Sequence, residues 1–313
     1  MNPTPSIIYM GTPDFAVPSF HALHQSPFDV KLVVTQPDRP KGRGRRLSPP
    51  PVKQAAQEFG YNVLQPSNVR DPEFMDALEA FRPDFLVVVA FGQILPAAIL
   101  AIPRHGAINL HASLLPKYRG PAPIQWAIMR GETQTGVTTM LMDTGVDTGD
   151  MLLSGSTPIR SDDTSATLHD RLARLGADLL VDTIRGVWEG TLFPRAQNHA
   201  QATYAPMLKK DNGRIDWQRS AHAIDAQIRA MTPWPGAFCF FKNKRYKIHR
   251  ACPIDGICIS PPGTVVPGFP DELRIATGDG VLCILEIQGE SGKRIPIKQF
   301  MMGSPIALGG QFD

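Results

Sequence analysis

The stretch FLVVVAF at residues 85–91 is apolar throughout, and the fold prediction depends on it. A strand that is apolar on both faces is typical of the centre of a parallel sheet covered by helices on both sides. Further strands are predicted at residues 6–11, 29–36, 107–110, 136–142 and 151–158. Helices are predicted at residues 13–24, 51–59, 71–81, 121–130 and 164–189. This alternation indicates an α/β fold with a doubly wound, mostly parallel sheet.

The pattern of the sequence changes after residue 206. Residues 191–206 show little periodicity and are predicted to be a linker. Beyond them, short strands are predicted at residues 238–241, 246–249, 263–266, 273–277, 281–288 and 294–297, the first two joined as a hairpin. Such spacing is typical of a small β domain, and a barrel is the expected form. We therefore expect a domain at residues 1–190, a linker at 191–206 and a β domain at 207–313.

Composition and charge limit the classes to which the chain can belong. With 42% hydrophobic and 19% charged residues over 313 positions, it can bury the cores of two domains. No apolar run approaches the ~20 residues of a membrane helix, and residues 1–5 resemble neither a signal peptide nor a presequence. We therefore expect a cytoplasmic, bacterial protein, and nothing in the sequence requires more than a monomer.

The basic residues are concentrated in the later part of the chain. Residues 1–205 hold 18 Lys and Arg against 19 Asp and Glu, whereas residues 206–313 hold 14 against 10. This modest basicity is compatible with a nucleic-acid partner without requiring one.

Neither a metal nor a nucleotide cofactor is expected. The four cysteines, Cys239, Cys252, Cys258 and Cys283, form no C-x-x-C pair and are predicted to be buried thiols. Residues 11–13 (GTP) follow the first predicted strand but do not make a G-x-G-x-x-G fingerprint, and no Walker A sequence occurs.

The motif NLHASLLP at residues 109–116 carries chemically capable side chains. If residues 107–110 form a strand, Asn109 and His111 point to the same side. An amide donor beside an imidazole can stabilise an oxyanion and move a proton. An isolated N-x-H sequence is more often a pair of residues that bind loop backbone, and that alternative stays open here.

The acidic segment MDTGVDTGD at residues 142–150 lies between two predicted strands. An ordinary turn is the simplest interpretation, and a calcium loop is disfavoured because the EF-hand ligand spacing is missing. An aspartate in this segment could also orient or charge a histidine nearby.

Together these segments resemble the formyltransferases that use 10-formyltetrahydrofolate as donor. The resemblance is carried by Asn109, His111, Asp147, SLLP at 113–116 and the acidic segment. It is closer to the branch that acts on initiator methionyl-tRNA, through MGTPDFA at 10–16, QPDRP at 36–40, YRGPAPI at 118–124, GRIDW at 213–217, IRA at 228–230 and PWPGA at 233–237. It covers almost the whole chain and implies a Rossmann-like catalytic domain followed by an OB-like β barrel.

The resemblance also implies a reaction, in which a formyl group passes to the α-amino group of methionyl initiator tRNA for translation initiation. Asn109 and a protonated His111 would stabilise the oxyanion, and Asp147 would keep His111 charged and help to move the amine proton. The folate would lie near residues from three segments: Phe91, Gly92, Gln93, Ile94, Leu95, Ser113, Leu114, Leu115, Pro116 and Asp143.

A basic segment at residues 39–46 holds five cations in eight positions. A solvated surface loop is the commoner fate of such a run, but in the resembled family this loop engages the acceptor stem of the tRNA. The tRNA-binding residues expected on this basis are Arg39, Lys41, Arg43, Arg45, Arg46, Lys209 and Lys210, with Arg43 foremost.

Two other functions remain possible at this stage. The same chemistry could act on a small amine, such as an amino sugar or a purine precursor, although the basic segment and the C-terminal domain would then be unnecessary. A non-catalytic RNA-binding protein would not need Asn109, His111 and Asp147 together.

Overall fold

The computed structural model describes residues 4–41, 46–290 and 292–313. Fifteen strands are seen in these residues: β1 Ser6–Gly11, β2 Asp29–Val34, β3 Arg39–Lys41, β4 Arg46–Ser48, β5 Val63–Leu64, β6 Phe85–Val89, β7 Ala107–His111, β8 Gln134–Leu141, β9 Met151–Pro158, β10 Ala237–Phe241, β11 Lys244–Ile254, β12 Val265–Val266, β13 Leu273–Ala276, β14 Val281–Gln288 and β15 Ile295–Pro296. Eight α-helices accompany them: α1 Val17–Gln25, α2 Pro51–Glu58, α3 Pro72–Ala80, α4 Ala97–Leu100, α5 Pro123–Met129, α6 Ser165–Trp188, α7 Ala221–Met231 and α8 Ile297–Gly303.

The first sheet has seven strands in the order β5-β2-β1-β6-β7-β8-β9. The pairs β2–β5, β1–β2, β1–β6 and β6–β7 are parallel, while β7–β8 is antiparallel. The prediction of an α/β fold with a mostly parallel sheet is therefore confirmed, and all five residues of β6 are buried as expected of a central strand.

Several predicted boundaries shift for identifiable reasons. The helix predicted from residue 13 begins as a 3-10 turn at Asp14–Ala16, and its α-helical part starts at Val17, with a proline in the first turn. The strand predicted at 85–91 ends at Val89, because Ala90 turns the chain with a φ of +48°.

The order in which the chain forms its strands predicts a ligand-binding crevice at the carboxyl edge of this sheet. From β1 the chain adds β2 and β5 on one side, then crosses to β6 and β7 on the other. Ligands bind outside the carboxyl ends of parallel strands at such a reversal. At this edge Thr12 Oγ1 donates to the Phe91 carbonyl at 2.8 Å and accepts from the Gln36 amide at 3.3 Å.

The other large sheet is antiparallel and runs β10-β11-β14-β13-β12, with β15 paired to β14. The predicted hairpin between β10 and β11 is confirmed: Lys242 and Asn243 form its two-residue turn, and both have positive φ. Residues near 312 pair on two sides, since Phe312 bridges Phe241 and Gln311 bridges Thr264. Helix α7, which the sequence analysis did not predict, is largely buried in this part of the chain.

The chain forms two compact units. The first comprises residues 1–120, 134–157 and 169–205, and the second comprises 121–133, 158–168 and 206–313. Residues 191–205, expected to be part of a linker, thus belong to the first unit, where the Arg195 and Met151 backbones exchange two hydrogen bonds of 2.8 Å.

The cysteines do not share one environment. Cys239 and Cys283 are buried, and burial raises the pKa of both thiols. The expectation of a buried thiol is wrong for Cys252, which is exposed, and Cys258 is half-buried. Cys252 lies opposite Cys283 on β11 and β14. Among the described residues, no group of three His, Cys, Asp or Glu side chains is arranged to hold a metal ion, and no helix is long and apolar enough to cross a membrane.

Candidate active site

Strand β7 places Asn109 and His111 on one face of the sheet, as their spacing predicts. The opposite face of β7 is covered by α6, where Gly176 lies so close to Leu110 that an added Cβ would meet the leucine at 2.6 Å. Asn109 is half-buried and His111 is buried. The two side chains therefore lie next to each other on the face of the sheet away from α6.

The His111 ring has an oxygen at each nitrogen. Nε2 lies 2.9 Å from the Tyr118 carbonyl oxygen and donates a hydrogen bond to it, and Nδ1 lies 3.6 Å from Asp147 Oδ1. A neutral ring protonated at Nε2 would turn a lone pair toward the carboxylate. Only a doubly protonated ring would present N–H groups to both oxygens.

The Asp147 carboxylate is anchored on its other oxygen as well. Oδ2 accepts a hydrogen bond of 2.7 Å from the Gly120 amide. The residue has a φ of +54°, a left-handed backbone conformation that is unusual for a residue other than glycine. Such backbone strain costs on the order of 1–3 kcal/mol and persists where the surroundings impose it. The structure thus brings Asp147 to His111, a proximity that spacing alone does not give.

The Asn109 amide is available for a ligand. In the part of the chain that the structure describes, its side chain has no hydrogen-bond partner, although the residue is half-buried beside His111. Two N–H donors next to an imidazole ring can bind an oxygen on which negative charge develops.

The SLLP segment follows β7 directly and is held by Thr138 on β8. Thr138 Oγ1 donates to the Ser113 carbonyl at 2.7 Å and accepts from the Leu115 amide at 3.1 Å. Ser113 and Leu115 are buried, whereas Leu114 and Pro116 are half-buried. The segment therefore forms a fixed wall beside His111, and its half-buried members are accessible to a bound molecule.

The segment at residues 91–95 is divided between core and surface. Phe91 and Leu95 pack in the hydrophobic core, while Gly92 and Ile94 are exposed. Gln93 Oε1 accepts from the Val69 amide at 3.3 Å, which ties the segment to the preceding loop. Asp143, the last residue expected near folate, is exposed and accepts bonds from the Gly145 amide at 3.0 Å and from Thr148 Oγ1 at 2.6 Å.

The residues expected to bind tRNA are only partly described. Arg43 and Arg45 lie outside the described residues, and Lys41 and Arg46 lie in β3 and β4, which pair as a small antiparallel ribbon. Arg39 is exposed and donates to Gln36 Oε1 at 3.4 Å, and Lys209 and Lys210 are exposed.

The base of this ribbon is ordered by Asp38. Hydrogen bonds from Lys53 and Gln65 lower the pKa of its carboxyl group.

Sequence reasoning missed two buried polar residues beside Asp147. Arg119 is 3% exposed and Gln197 is 5% exposed, and Gln197 Oε1 accepts from Arg119 Nη2 at 2.7 Å. Arg119 belongs to the YRGPAPI motif of the sequence, and Gln197 lies in the segment predicted to be a linker. A third missed residue is Gln36, whose buried Nε2 has no partner among the described atoms and points to a further donor at the carboxyl edge.

Comparisons with known proteins bear on the whole chain. Residues 6–184 match the model of the formyl transferase family, and residues 207–305 match the model of the formyl transferase C-terminal domain. The methionyl-tRNA formyltransferase of Citrifermentans bemidjiense is 50% identical over 97% of this chain and 95% of its own length. That of Desulfotalea psychrophila is 51% identical over 96% of this chain and 93% of its own.

A solved structure shares the fold at much lower identity. It is the N-formyltransferase of Helicobacter canadensis in complex with folinic acid and dTDP-3-aminofucose, which is 20% identical, covers 94% of this chain and all of that chain, and has a TM-score of 0.68. The fold is therefore that of formyltransferases. Since a family model matches more than half of the residues and the relatives match nearly all of them, this chain belongs to the formyl transferase family, in the group of proteins named methionyl-tRNA formyltransferase.

Proposed function

We propose that this protein transfers the formyl group of 10-formyltetrahydrofolate to the α-amino group of methionyl initiator tRNA, forming N-formylmethionyl-tRNA for translation initiation. The observation that carries the chemistry is the open Asn109 amide beside a His111 ring whose two nitrogens face the Tyr118 carbonyl and Asp147. The two relatives named for this reaction, about half identical along nearly the full chain, support the choice of acceptor.

The three side chains have distinct roles in the proposed reaction. The α-amino group has a pKa of about 7.7–8.0, so much of it is a neutral nucleophile near pH 7.5. Its nitrogen bonds to the formyl carbon, the bond from that carbon to N10 breaks, and one amine proton passes to N10. Asn109 donates to the carbonyl oxygen as it becomes negative, and the charged His111 stabilises the same oxygen.

Asp147 serves this arrangement by holding the imidazolium and by relaying the amine proton. Its Oδ1 faces His111 while Oδ2 is held by the Gly120 amide. Because Nε2 of His111 is bonded to a backbone carbonyl, the ring contributes its charge at a fixed position beside Asn109.

We place the folate along the carboxyl edge of the first sheet. Residues that follow β6 and β7 at this edge support the placement, since Gly92 and Ile94 are exposed and Leu114 and Pro116 are half-buried. The donor supplies the formyl carbon and leaves as tetrahydrofolate. We infer no metal in this step, because a charged histidine and an amide supply the stabilisation that the oxyanion needs.

The second unit is assigned to tRNA. Residues 206–313 hold an excess of four positive charges, and Lys209 and Lys210 are exposed at its start. We propose that its antiparallel sheet is an OB-like barrel, which the pairing of residues near 312 with both β10 and Thr264 supports. A monomeric state and a cytoplasmic location in a bacterium complete the proposal.

The test is formyl transfer from 10-formyltetrahydrofolate to charged initiator tRNA, to free methionine and to an amino sugar, with wild type and His111→Ala. We expect transfer to the tRNA alone, and a fall in kcat of about 100- to 1,000-fold in the variant. Transfer to the amino sugar but not to the tRNA would disprove the acceptor and keep the chemistry. Undiminished transfer by His111→Ala would disprove the site.

A further inference from the structure

The Gln197 side chain spans the loop that carries Asp147. Its Nε2 donates to the Asp147 carbonyl at 3.0 Å and to the Gly149 carbonyl at 2.7 Å. Its Oε1 accepts two bonds from Arg119, from Nε at 3.2 Å and from Nη2 at 2.7 Å. Both N–H groups and the oxygen of this buried amide are therefore engaged, and its orientation is fixed.

Arg119 is held from both sides. Its backbone amide donates to the Thr203 carbonyl at 2.8 Å and its carbonyl accepts from the Ala205 amide at 2.7 Å. Its Nη2 also lies 3.0 Å from His199 Nδ1. A guanidinium that is 3% exposed thus joins residues 197–205 to the chain that follows the SLLP segment.

The neighbours of Arg119 contact both proposed catalytic side chains. The preceding residue, Tyr118, offers its carbonyl to His111, and the following residue, Gly120, donates its amide to Asp147. Arg119 lies between the Tyr118 carbonyl and the Gly120 amide, and Gln197 binds the carbonyls of Asp147 and Gly149. The hydrogen bonds between Arg119 and Gln197 therefore fix these two parts of the chain relative to each other.

The Asp147 loop depends on this support. Residues 143–146 are exposed, and Asp147 itself has a left-handed backbone. The side-chain amide of Gln197 binds the carbonyls of Asp147 and Gly149, on either side of Thr148.

We propose that Gln197 and Arg119 are positioning residues of the transfer reaction, which set the distance and orientation of Asp147 relative to His111. The proposal rests on the function proposed above. Neither side chain is assigned a contact with the reacting atoms, and each acts through the backbone on which Asp147 lies.

The first test compares Gln197→Ala and Gln197→Glu with Gln201→Ala. Glutamate can still accept from Arg119 but cannot donate to the two carbonyls, and Gln201 is an exposed glutamine of the same segment. We expect kcat to fall about 10- to 100-fold in both Gln197 variants, because small displacements of a catalytic group have large effects. The KM values for folate and tRNA should stay within about twofold, as expected when only transition-state stabilisation is lost. Gln201→Ala should match wild type.

A double-mutant cycle separates positioning from a general structural role. If Gln197 acts through Asp147, Gln197→Ala should cost less than about threefold in an Asp147→Asn background, since coupled residues are not additive. Its full cost should remain in an Asn109→Ala background. Equal cost in both backgrounds would overturn the proposal.

A readout independent of turnover completes the design. The backbone amide of Gly120 donates to the Asp147 carboxylate, so its ¹⁵N–¹H chemical shift reports that contact. We expect Gln197→Ala to move this resonance in the same direction as Asp147→Asn, while Gln201→Ala leaves it in place. An unmoved resonance in folded Gln197→Ala would overturn the inference even if the wild type failed to formylate tRNA, so the two failures can be told apart.

Discussion

One of the two contacts of the His111 ring comes from a residue that is distant in sequence. Asp147 is 36 positions from His111 and lies on the loop between β8 and β9, while Tyr118 follows the SLLP segment. The spacing of Asn109 and His111 on one strand predicts that they share a face, and the structure agrees. The proximity of Asp147 was implied only by family resemblance, because tertiary contacts between loops leave no local periodicity. Gln197 and Arg119 lie 78 positions apart and follow from no local pattern.

Removal of single functional groups should affect turnover more than binding. We expect Asn109→Ala to lower kcat by about 100- to 1,000-fold, because one oxyanion donor is lost. Steady-state kinetics with both substrates, together with tRNA affinity by filter binding, measure the effect. Asn198→Ala, at an exposed position that caps a short 3-10 turn, is the matched control. A large rise in KM with unchanged kcat would show that Asn109 binds substrate without stabilising the transition state.

Gly149 is required for a steric reason. An added Cβ would lie 1.8 Å from the Leu141 carbonyl oxygen, although the φ of Gly149 is outside the left-handed region. Gly149→Ala should therefore push the Asp147 loop away from β8, lowering the free energy of unfolding by about 1–3 kcal/mol and lowering kcat. Thermal unfolding and turnover of Gly149→Ala and Gly303→Ala test this, since nothing lies within 4 Å of a Cβ at Gly303. Equal melting temperatures for the two variants would contradict it.

The limits of several elements follow closely from the sequence pattern. Strands β1, β9 and β14 have the predicted limits, and α6 differs by one residue at each end. Helix α7 was missed because Asp225 and Gln227 interrupt its apolar positions, yet both are buried. Asp225 accepts from Arg229 one turn later at 2.7 Å, while burial raises the pKa of its carboxyl group. A buried ion pair inside a helix hides the periodicity on which sequence prediction relies.

Strand β11 carries a histidine whose burial should make the stability of the second unit depend on pH. Burial lowers the pKa of His249 below its usual 6.5, while its Nε2 donates to Gln288 Oε1 at 2.9 Å. The nearby charges are those of Arg294, Lys247 and Glu286. The unfolded chain then binds more protons than the folded chain between the two pKa values, so stability is full above pH 6.5 and is lost as the pH falls through the folded pKa.

The measurement is urea unfolding of wild type and His249→Gln at pH values from about 5 to 8. We expect the variant to lose less stability than wild type on acidification. His222→Gln, which removes an exposed histidine from α7, controls for the general loss of an imidazole. A variant curve parallel to that of wild type would show that His249 makes no contribution.

At the scale of the whole molecule, charge is distributed unequally between the two parts of the sequence. Residues 1–205 are nearly neutral, and the excess of basic residues after 205 includes Lys209 and Lys210. If both lysines contact phosphates, Lys209→Ala/Lys210→Ala should weaken tRNA binding and reduce the slope of log Kd against log salt by about 2. Binding titrations between low and moderate salt measure this slope.

The matched control for the lysine prediction is Lys298→Ala. Lys298 forms an ion pair of 2.7 Å with Asp271, which raises the pKa of its amine and places a carboxylate beside its charge. The control should keep the wild-type slope. A double variant with the wild-type slope would show that the two lysines stay solvated when tRNA binds.

The pairing of residues 310–313 has a consequence for how the protein behaves in concentrated solution. Phe240 and Asp313 exchange backbone hydrogen bonds of 3.1 and 2.9 Å, and the Val265 amide donates to Gly310 at 2.8 Å. Residues 310–313 thus occupy outer backbone groups of Phe240 on β10 and of Val265 on β12, which would otherwise be free to pair with another molecule. Deleting them would leave unpaired backbone groups on the exposed edges of these two strands. The shortened protein should therefore self-associate as its concentration rises, even where its active site is unchanged.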